Sequence, residues 1–185
     1  GDVYKRQVIY FMQNEVIYTP SPRFPPIFSY LCSIKPKYFM EQSDMLRNLR
    51  IEQLTPMQEA ARDAYQSDKD LVLLSPTGSG KTLAFLLPLV QSLKADVQGV
   101  QAVVLVPSRE LALQIENVFK SMNVPFKAMS CYGGRPAMDE HRTMRGINPA
   151  VIIGTPGRMN DHLRKQNFDT RFVTTLVIDE FDKCL

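Results

Sequence analysis

The eight residues Ser75-Pro76-Thr77-Gly78-Ser79-Gly80-Lys81-Thr82 bring two glycines, a lysine and a hydroxyl into one short stretch. Gly78 and Gly80 let the backbone curl so that successive N–H groups point at phosphate oxygens, helped by the amino end of a following helix. Lys81 would then contact the outer phosphates, and Thr82 would offer its hydroxyl to Mg²⁺. The stretch matches the phosphate-binding loop pattern except that Ser75 stands at its first glycine. A plain glycine turn gives no reason for the Gly-Lys-Thr ending. The chemistry implied is binding of a nucleoside triphosphate with magnesium.

A second constellation, Asp179-Glu180, follows the apolar run Leu176–Ile178. A carboxylate at the end of a buried strand can hold Mg²⁺ through its water shell. Its neighbour can orient and deprotonate an attacking water. Two acids after a strand would ordinarily be a solvated loop. Downstream of a phosphate loop they imply hydrolysis.

The elements that must position these residues are legible from periodicity. Leu71–Leu74, Ala102–Val106, Val151–Ile153 and Leu176–Ile178 are short apolar runs, as expected for strands buried on both faces. Phe126–Ser130 is a further candidate strand. Met45, Leu46, Leu49 and Ile51 mark one face of a short helix, and Thr55-Pro56 opens another through Tyr65. In Glu110–Met122 the apolar residues Leu111, Ile115, Val118, Phe119 and Met122 keep helical spacing, with Ser108 as the N-cap. Alternating strands and helices predict a doubly wound parallel α/β sheet with helices on both faces. Each apolar run is followed by polar residues: the glycine loop, Pro107-Ser108-Arg109-Glu110, Gly154-Thr155-Pro156-Gly157-Arg158 and Asp179-Glu180-Phe181-Asp182. All four groups therefore fall on the carboxyl edge of the sheet, where such folds bind ligands.

Composition bounds the function. The chain has 185 residues, 44% hydrophobic and 22% charged, with a net charge of +3. The basic excess lies before Met40; the remainder carries equal numbers of basic and acidic side chains. Bulk charge thus gives no support to nucleic-acid binding, which must rest on local sites. Cys32, Cys131 and Cys184 lack metal-site spacing and read as free thiols of a reducing compartment. His141 and His162 have no second ligand at helical or turn spacing, so surface or packing roles are expected. No segment reaches the length needed to span a membrane, and the run Val8–Met12 is too short for a signal peptide. A cytoplasmic protein is expected.

Residues 1–43 are expected to be a poorly structured or artefactual extension. Pro20, Pro22, Pro25 and Pro26 crowd together, and the apolar stretches around them show neither helical nor strand periodicity. Asp2–Gln7 is similar to the translation of a transposon-end adaptor used in sequencing libraries, which suggests a scar with Met40 as the natural start. A genuine proline-rich extension is the alternative. The domain proper is expected over 44–185, incomplete at its carboxyl end.

Taken together, the motifs resemble the first RecA-like domain of DEAD-box RNA helicases. Leu54-Thr55-Pro56-Met57-Gln58 is similar to the family's Q motif and Ser75–Thr82 to motif I. Pro107–Gln114 resembles motif Ia, Gly133-Gly134 the glycine pair, Thr155-Pro156-Gly157-Arg158 motif Ib and Asp179-Glu180-Phe181-Asp182 motif II. The resemblance implies a RecA-like P-loop fold in which Gln58 reads the adenine edge of ATP. It implies that Ser75, Thr77, Gly78, Ser79, Gly80, Lys81 and Thr82 hold ATP, that Thr82 and Asp179 hold Mg²⁺, and that Lys81, Asp179 and Glu180 serve catalysis. Pro107, Ser108, Arg109, Gly134, Thr155 and Arg158 would touch the sugar-phosphate backbone of one RNA strand, without sequence readout. For Arg109 and Arg158 a salt bridge or solvated surface is the plain alternative.

Three departures stand out. Phe181 occupies the place of the family's Ala, Leu54 that of a Pro, and the upstream aromatic that stacks on adenine has only Phe39 as a candidate. The family works with a second RecA-like domain in cis, which supplies arginine fingers and is not in this sequence. The expectation is weak ATP binding, very slow hydrolysis and no unwinding by this chain alone. Two other readings remain open: an ATP-switched RNA clamp without strand separation, and a DNA helicase or translocase of the same superfamily.

Overall fold

The structure is a computed structural model, and it describes residues 7–12, 41–65, 70–76, 78–134 and 136–184. The elements in chain order are β1 (Gln7–Met12), α1 (Gln42–Asn48), α2 (Pro56–Tyr65), β2 (Leu71–Leu74), α3 (Lys81–Ser92), β3 (Ala102–Leu105) and α4 (Arg109–Ser121). They continue with β4 (Ala128–Cys131), α5 (Ala137–Ile147), β5 (Val151–Gly154), α6 (Pro156–Arg164), β6 (Thr175–Ile178) and α7 (Phe181–Cys184). Local chemistry sets several boundaries. Pro56 opens α2, and Pro156 opens α6, where a missing N–H is harmless. Ser108 caps α4 by accepting the Leu111 N–H at 3.2 Å.

Six strands form one parallel sheet in the order β2-β1-β6-β3-β5-β4. Alternate residues of β3, β4, β5 and β6 enter two separate cores, and Leu71 and Leu73 of β2 enter the first. Leu71, Leu73, Ala102, Val104, Val151, Ile153 and Val177 pack with α1 to α4 through Met45, Ala61, Phe85, Ile115 and Phe119. Val103, Met129 and Ile152 pack on the opposite face with Met144 of α5 and Met159 of α6. Helices therefore cover both faces, as expected for a doubly wound sheet. Each fully buried side chain such as Phe85 or Ile153 contributes roughly 1.5–3 kcal/mol.

Within the first 43 residues, expected to be a poorly structured or artefactual extension, the described residues include the strand β1. Gln7–Met12 is an interior strand, pairing in parallel with β2 (Ile9 opposite Leu71) and with β6 (Ile9 opposite Val177). Its run Val-Ile-Tyr-Phe-Met is rich in β-branched and aromatic residues, the composition that suits a strand. The apolar continuity that hides periodicity is itself the strand signal there. Residues 13–40 lie outside the described residues, as do Cys32 and Phe39.

The carboxyl edge is a ruled line. Cys131, Gly154, Leu105 and Ile178, the last residues of β4, β5, β3 and β6, are mutual register partners. One further backbone bond extends each join: Thr155 N–H to Cys131 O, Val106 N–H to Gly154 O and Asp179 N–H to Leu105 O. No helix among the described residues is long and apolar enough to cross a membrane.

Candidate nucleotide and nucleic-acid site

The loop after β2 closes on itself. Ser75 is buried and its hydroxyl donates to Ser79 Oγ at 2.6 Å, so the serine at the first glycine position braces the loop. Gly78 and Gly80 have φ of +82° and +88°, the left-handed region that favours glycine. Gly80 caps α3, whose first two residues are Lys81 and Thr82. Lys81 Nζ donates to the Ser75 and Pro76 carbonyls, each at 2.8 Å. Thr77 lies outside the described residues.

Gln58 reaches this loop from α2. It is 5% exposed; its Oε1 accepts the Thr55 N–H at 2.9 Å, and its Nε2 donates to the Gly80 carbonyl at 3.1 Å. The Thr55 hydroxyl returns the contact by accepting the Gln58 N–H at 3.3 Å. Each end of the amide keeps one further site, a second N–H and a second lone pair.

Asp179 follows β6, which is separated from β2 by β1 alone, about 10 Å between strand axes. The carboxylate is buried, and its Oδ1 accepts the Glu180 N–H at 3.0 Å. Burial raises its pKa above the usual aspartate range; the Glu180 N–H and the Lys81 and Lys183 charges oppose that rise, while the Glu180 charge adds to it. The residue is thus desolvated with its charge incompletely met, a state that a divalent cation would relieve. With the Thr82 hydroxyl on the first turn of α3, the donor set is all oxygen, which suits Mg²⁺. Glu180 holds φ of +50°, a left-handed conformation uncommon outside glycine and asparagine. Its carboxylate accepts from Lys183 Nζ at 3.1 Å. Phe181, in the unusual position of motif II, opens α7 half-buried.

The residues expected to meet a nucleic-acid strand follow β3, β4 and β5. Arg109 is exposed at the start of α4 and pairs with Glu110 at 2.7 Å, both side chains being mostly in solvent. Such a pair contributes little and leaves the guanidinium accessible to phosphate. Ser108 accepts the Leu111 N–H as a cap, and its hydroxyl also hydrogen-bonds the Glu110 carboxylate. Thr155 begins α6 with its side chain uncommitted as a cap. Gly134 ends the turn after β4, exposed.

Arg158 is placed differently from the others. Its side chain is only 9% exposed, and its Nε donates to the Tyr132 carbonyl at 3.2 Å beside Glu140. Sequence reading singled out Arg158 but missed its surroundings. Glu140 and His162 are both buried, with His162 Nε2 at 3.0 Å from Glu140 Oε2 and Asn167 Nδ2 at 2.8 Å from His162 Nδ1. The one available signal was spacing: Arg158 and His162 are four apart and share a face of α6.

A parallel sheet with a glycine loop beyond one strand and an Asp-Glu pair two strands away defines a RecA-like P-loop domain. The comparisons with known proteins narrow this class. The DEAD/DEAH box helicase family model matches residues 55–185, and the chain belongs to that family. The chain is 35% identical over 152 residues to the DEAD-box ATP-dependent RNA helicase CshA of Bacillus subtilis, covering 80% of this chain and 31% of that protein. Among solved structures it resembles the RNA helicase Prp28 of Chaetomium thermophilum bound to ADP, at 31% identity and TM-score 0.67, over 77% of this chain and 36% of that one. A DEAD box protein from Methanococcus jannaschii gives TM-score 0.67 at 28% identity, over 76% and 39%. The chain spans about a third of the length of the curated relatives it matches.

Proposed function

We propose that this chain binds ATP with Mg²⁺ at the carboxyl ends of β2 and β6 and one RNA strand at the ends of β3, β4 and β5. Residues 44–185 would form the first RecA-like helicase domain, acting in cis with a second such domain to remodel RNA duplexes by ATP hydrolysis. The reading is supported above all by Gln58: one side chain joins the element expected to read adenine to the loop expected to hold phosphates. In this scheme the N–H groups of the glycine loop and the Lys81 ammonium bind the phosphates. Thr82 and Asp179 would hold Mg²⁺, which would supply charge screening for the transferred phosphoryl group. Glu180 takes the proton of the attacking water. Pro107, Ser108, Arg109, Gly134 and Thr155 line the strand path, and Arg158 supports it from beneath. The free thiols at Cys131 and Cys184 suit a reducing, cytoplasmic setting.

Titration with a fluorescent ATP analogue, with and without Mg²⁺ and in competition with GTP, tests the nucleotide half. Fluorescence anisotropy of labelled RNA and DNA strands of one sequence tests the other. Equal affinity for ATP and GTP would remove Gln58 from its role, and preference for DNA would favour a DNA translocase. In the chain joined to its second domain, Glu180→Gln should keep both ligands and lose turnover.

A further inference from the structure

Tyr132 is the last residue before the Gly133-Gly134 turn, and both of its backbone polar groups are bound by buried charged side chains. Its N–H donates to Glu140 Oε1 at 3.2 Å, and its carbonyl accepts from Arg158 Nε at 3.2 Å. The two charges face one another at 3.4 Å, Arg158 Nε to Glu140 Oε2. The same Oε2 accepts from His162 Nε2 at 3.0 Å, and Asn167 meets the other ring nitrogen at 2.8 Å. A carboxylate buried this deeply persists only where donors satisfy it. Here a backbone N–H from the turn after β4 and a guanidinium and an imidazole from α6 do so.

Cys131, Glu140 and His162 also place one ligand atom each within 4.8 Å of the others, the composition of a zinc centre. The surroundings oppose a cation. The Arg158 guanidinium stands against the carboxylate, both imidazole nitrogens are hydrogen-bonded, and burial pushes the Cys131 thiol up to about 12, keeping it protonated. The group is built around one peptide unit, not around an ion.

We propose that Glu140 is a positioning residue for the RNA path: with Arg158 it clamps the Tyr132 peptide from both sides and fixes the Gly133-Gly134 turn against the amino end of α6. His162 and Asn167 hold the clamp from behind. The proposal rests on the reading that Gly134 and Thr155 face the RNA backbone. Arg158, on this account, acts through the turn and not by gripping a phosphate.

The test uses Glu140→Ala and Glu140→Gln in the 185-residue chain, with three readouts. These are anisotropy of a labelled oligouridine, titration with a fluorescent ATP analogue, and amide hydrogen exchange over Cys131–Gly134. Glu140→Ala should weaken RNA binding by about tenfold or more while ATP affinity stays within about twofold, and it should speed exchange at Tyr132–Gly134. Glu140→Gln keeps an acceptor for the Tyr132 N–H and should restore RNA binding to within about threefold of the parent. Parental RNA affinity in Glu140→Ala overturns the proposal. So does joint loss of ATP and RNA binding with exchange raised throughout, which would mark a purely structural role. If the parent chain fails to bind the oligouridine, the RNA reading falls by itself. The exchange readout then decides the clamp: unaltered exchange at Tyr132–Gly134 in Glu140→Ala refutes it.

Discussion

Gln58 donates an amide hydrogen to the Gly80 carbonyl across 3.1 Å, so the residue expected to read a base is anchored to the loop expected to hold phosphates. A methyl group on Gly80 would lie 2.5 Å from Gln58 Nε2, and Gly80 sits at φ +88°. Gly80→Ala should therefore lose about 1–2 kcal/mol from backbone strain alone and displace Gln58 as well. Lower Tm together with weaker ATP-analogue binding is expected; a variant matching the parent in both would show the two elements to be independent.

Lys81 makes two charge-assisted hydrogen bonds to the carbonyls of Ser75 and Pro76. Phosphates must draw the ammonium away from them, which spends part of the binding energy on opening the loop. Lys81→Ala should still lose ATP-analogue affinity by roughly 10- to 100-fold, the equivalent of one hydrogen bond to a charged group. Its Tm should fall modestly, because water can replace the ammonium at the exposed Pro76 carbonyl but less readily at that of buried Ser75. Isothermal titration and a thermal melt read the two quantities, and retained affinity would place the phosphates elsewhere.

Asp179 sets function against stability. Burial raises its pKa in the folded state, so the folded protein holds this proton more tightly than the unfolded chain. The associated stability is intact below the ordinary aspartate pKa of about 3.9 and is lost as pH rises through the raised folded value. At neutral pH Asp179→Asn, which still accepts the Glu180 N–H, should melt higher than the parent and lose the Mg²⁺ dependence of nucleotide binding. The gap in Tm should narrow in acid. A variant less stable at neutral pH would mean that Lys81 and Lys183 more than offset the burial.

β1 supplies backbone partners to β2 and β6 at once. Ile9→Pro removes a ladder donor from an interior strand and should destabilise the domain by on the order of 1–3 kcal/mol. Deleting residues 1–12 should do more, opening two facing edges and promoting self-association. Size-exclusion chromatography with light scattering, beside a melt, checks both. A monomeric deletion variant with the parent's Tm would show that the segment is dispensable.

Local chemistry was readable from the sequence where partners lie close by in the chain. Pro56 and Tyr65 bound α2 as expected, the Ser108 cap falls where its hydroxyl and spacing place it, and Leu71–Leu74 is a strand with unchanged limits. β4 runs Ala128–Cys131, a little later than the run Phe126–Ser130 suggests, because Cys131 finds Gly154 beside it. Long-range pairings were opaque. Nothing in Gln7–Met12 names Leu71 or Val177 as its neighbours, and nothing in Glu140 announces Arg158 and His162. The first is set by the place of β1 between β2 and β6, the second by the packing of α5 and α6 beneath β4 and β5. The site followed the same division: residues adjoining a strand end were identifiable, and the side chains that steady them were not.

The straight line of register partners Cys131, Gly154, Leu105 and Ile178 has a counterpart at the other rim in Ala128, Val151, Ala102 and Thr175, so neither end of these strands absorbs an inserted residue. One residue added within any of these strands would turn its side chains to the wrong face and shift the loop beyond it out of line. At the opposite rim, the connections entering β3 and β6 are tied down as well: the Gln101 side chain bonds both the N–H and the carbonyl of Lys94, and the Thr174 N–H donates to the Gln101 carbonyl. Handles for dyes, affinity tags or crosslinkers belong on the exposed stretches between those ties, 95–96 and 169–171, where a chain can lengthen without the working rim registering the change.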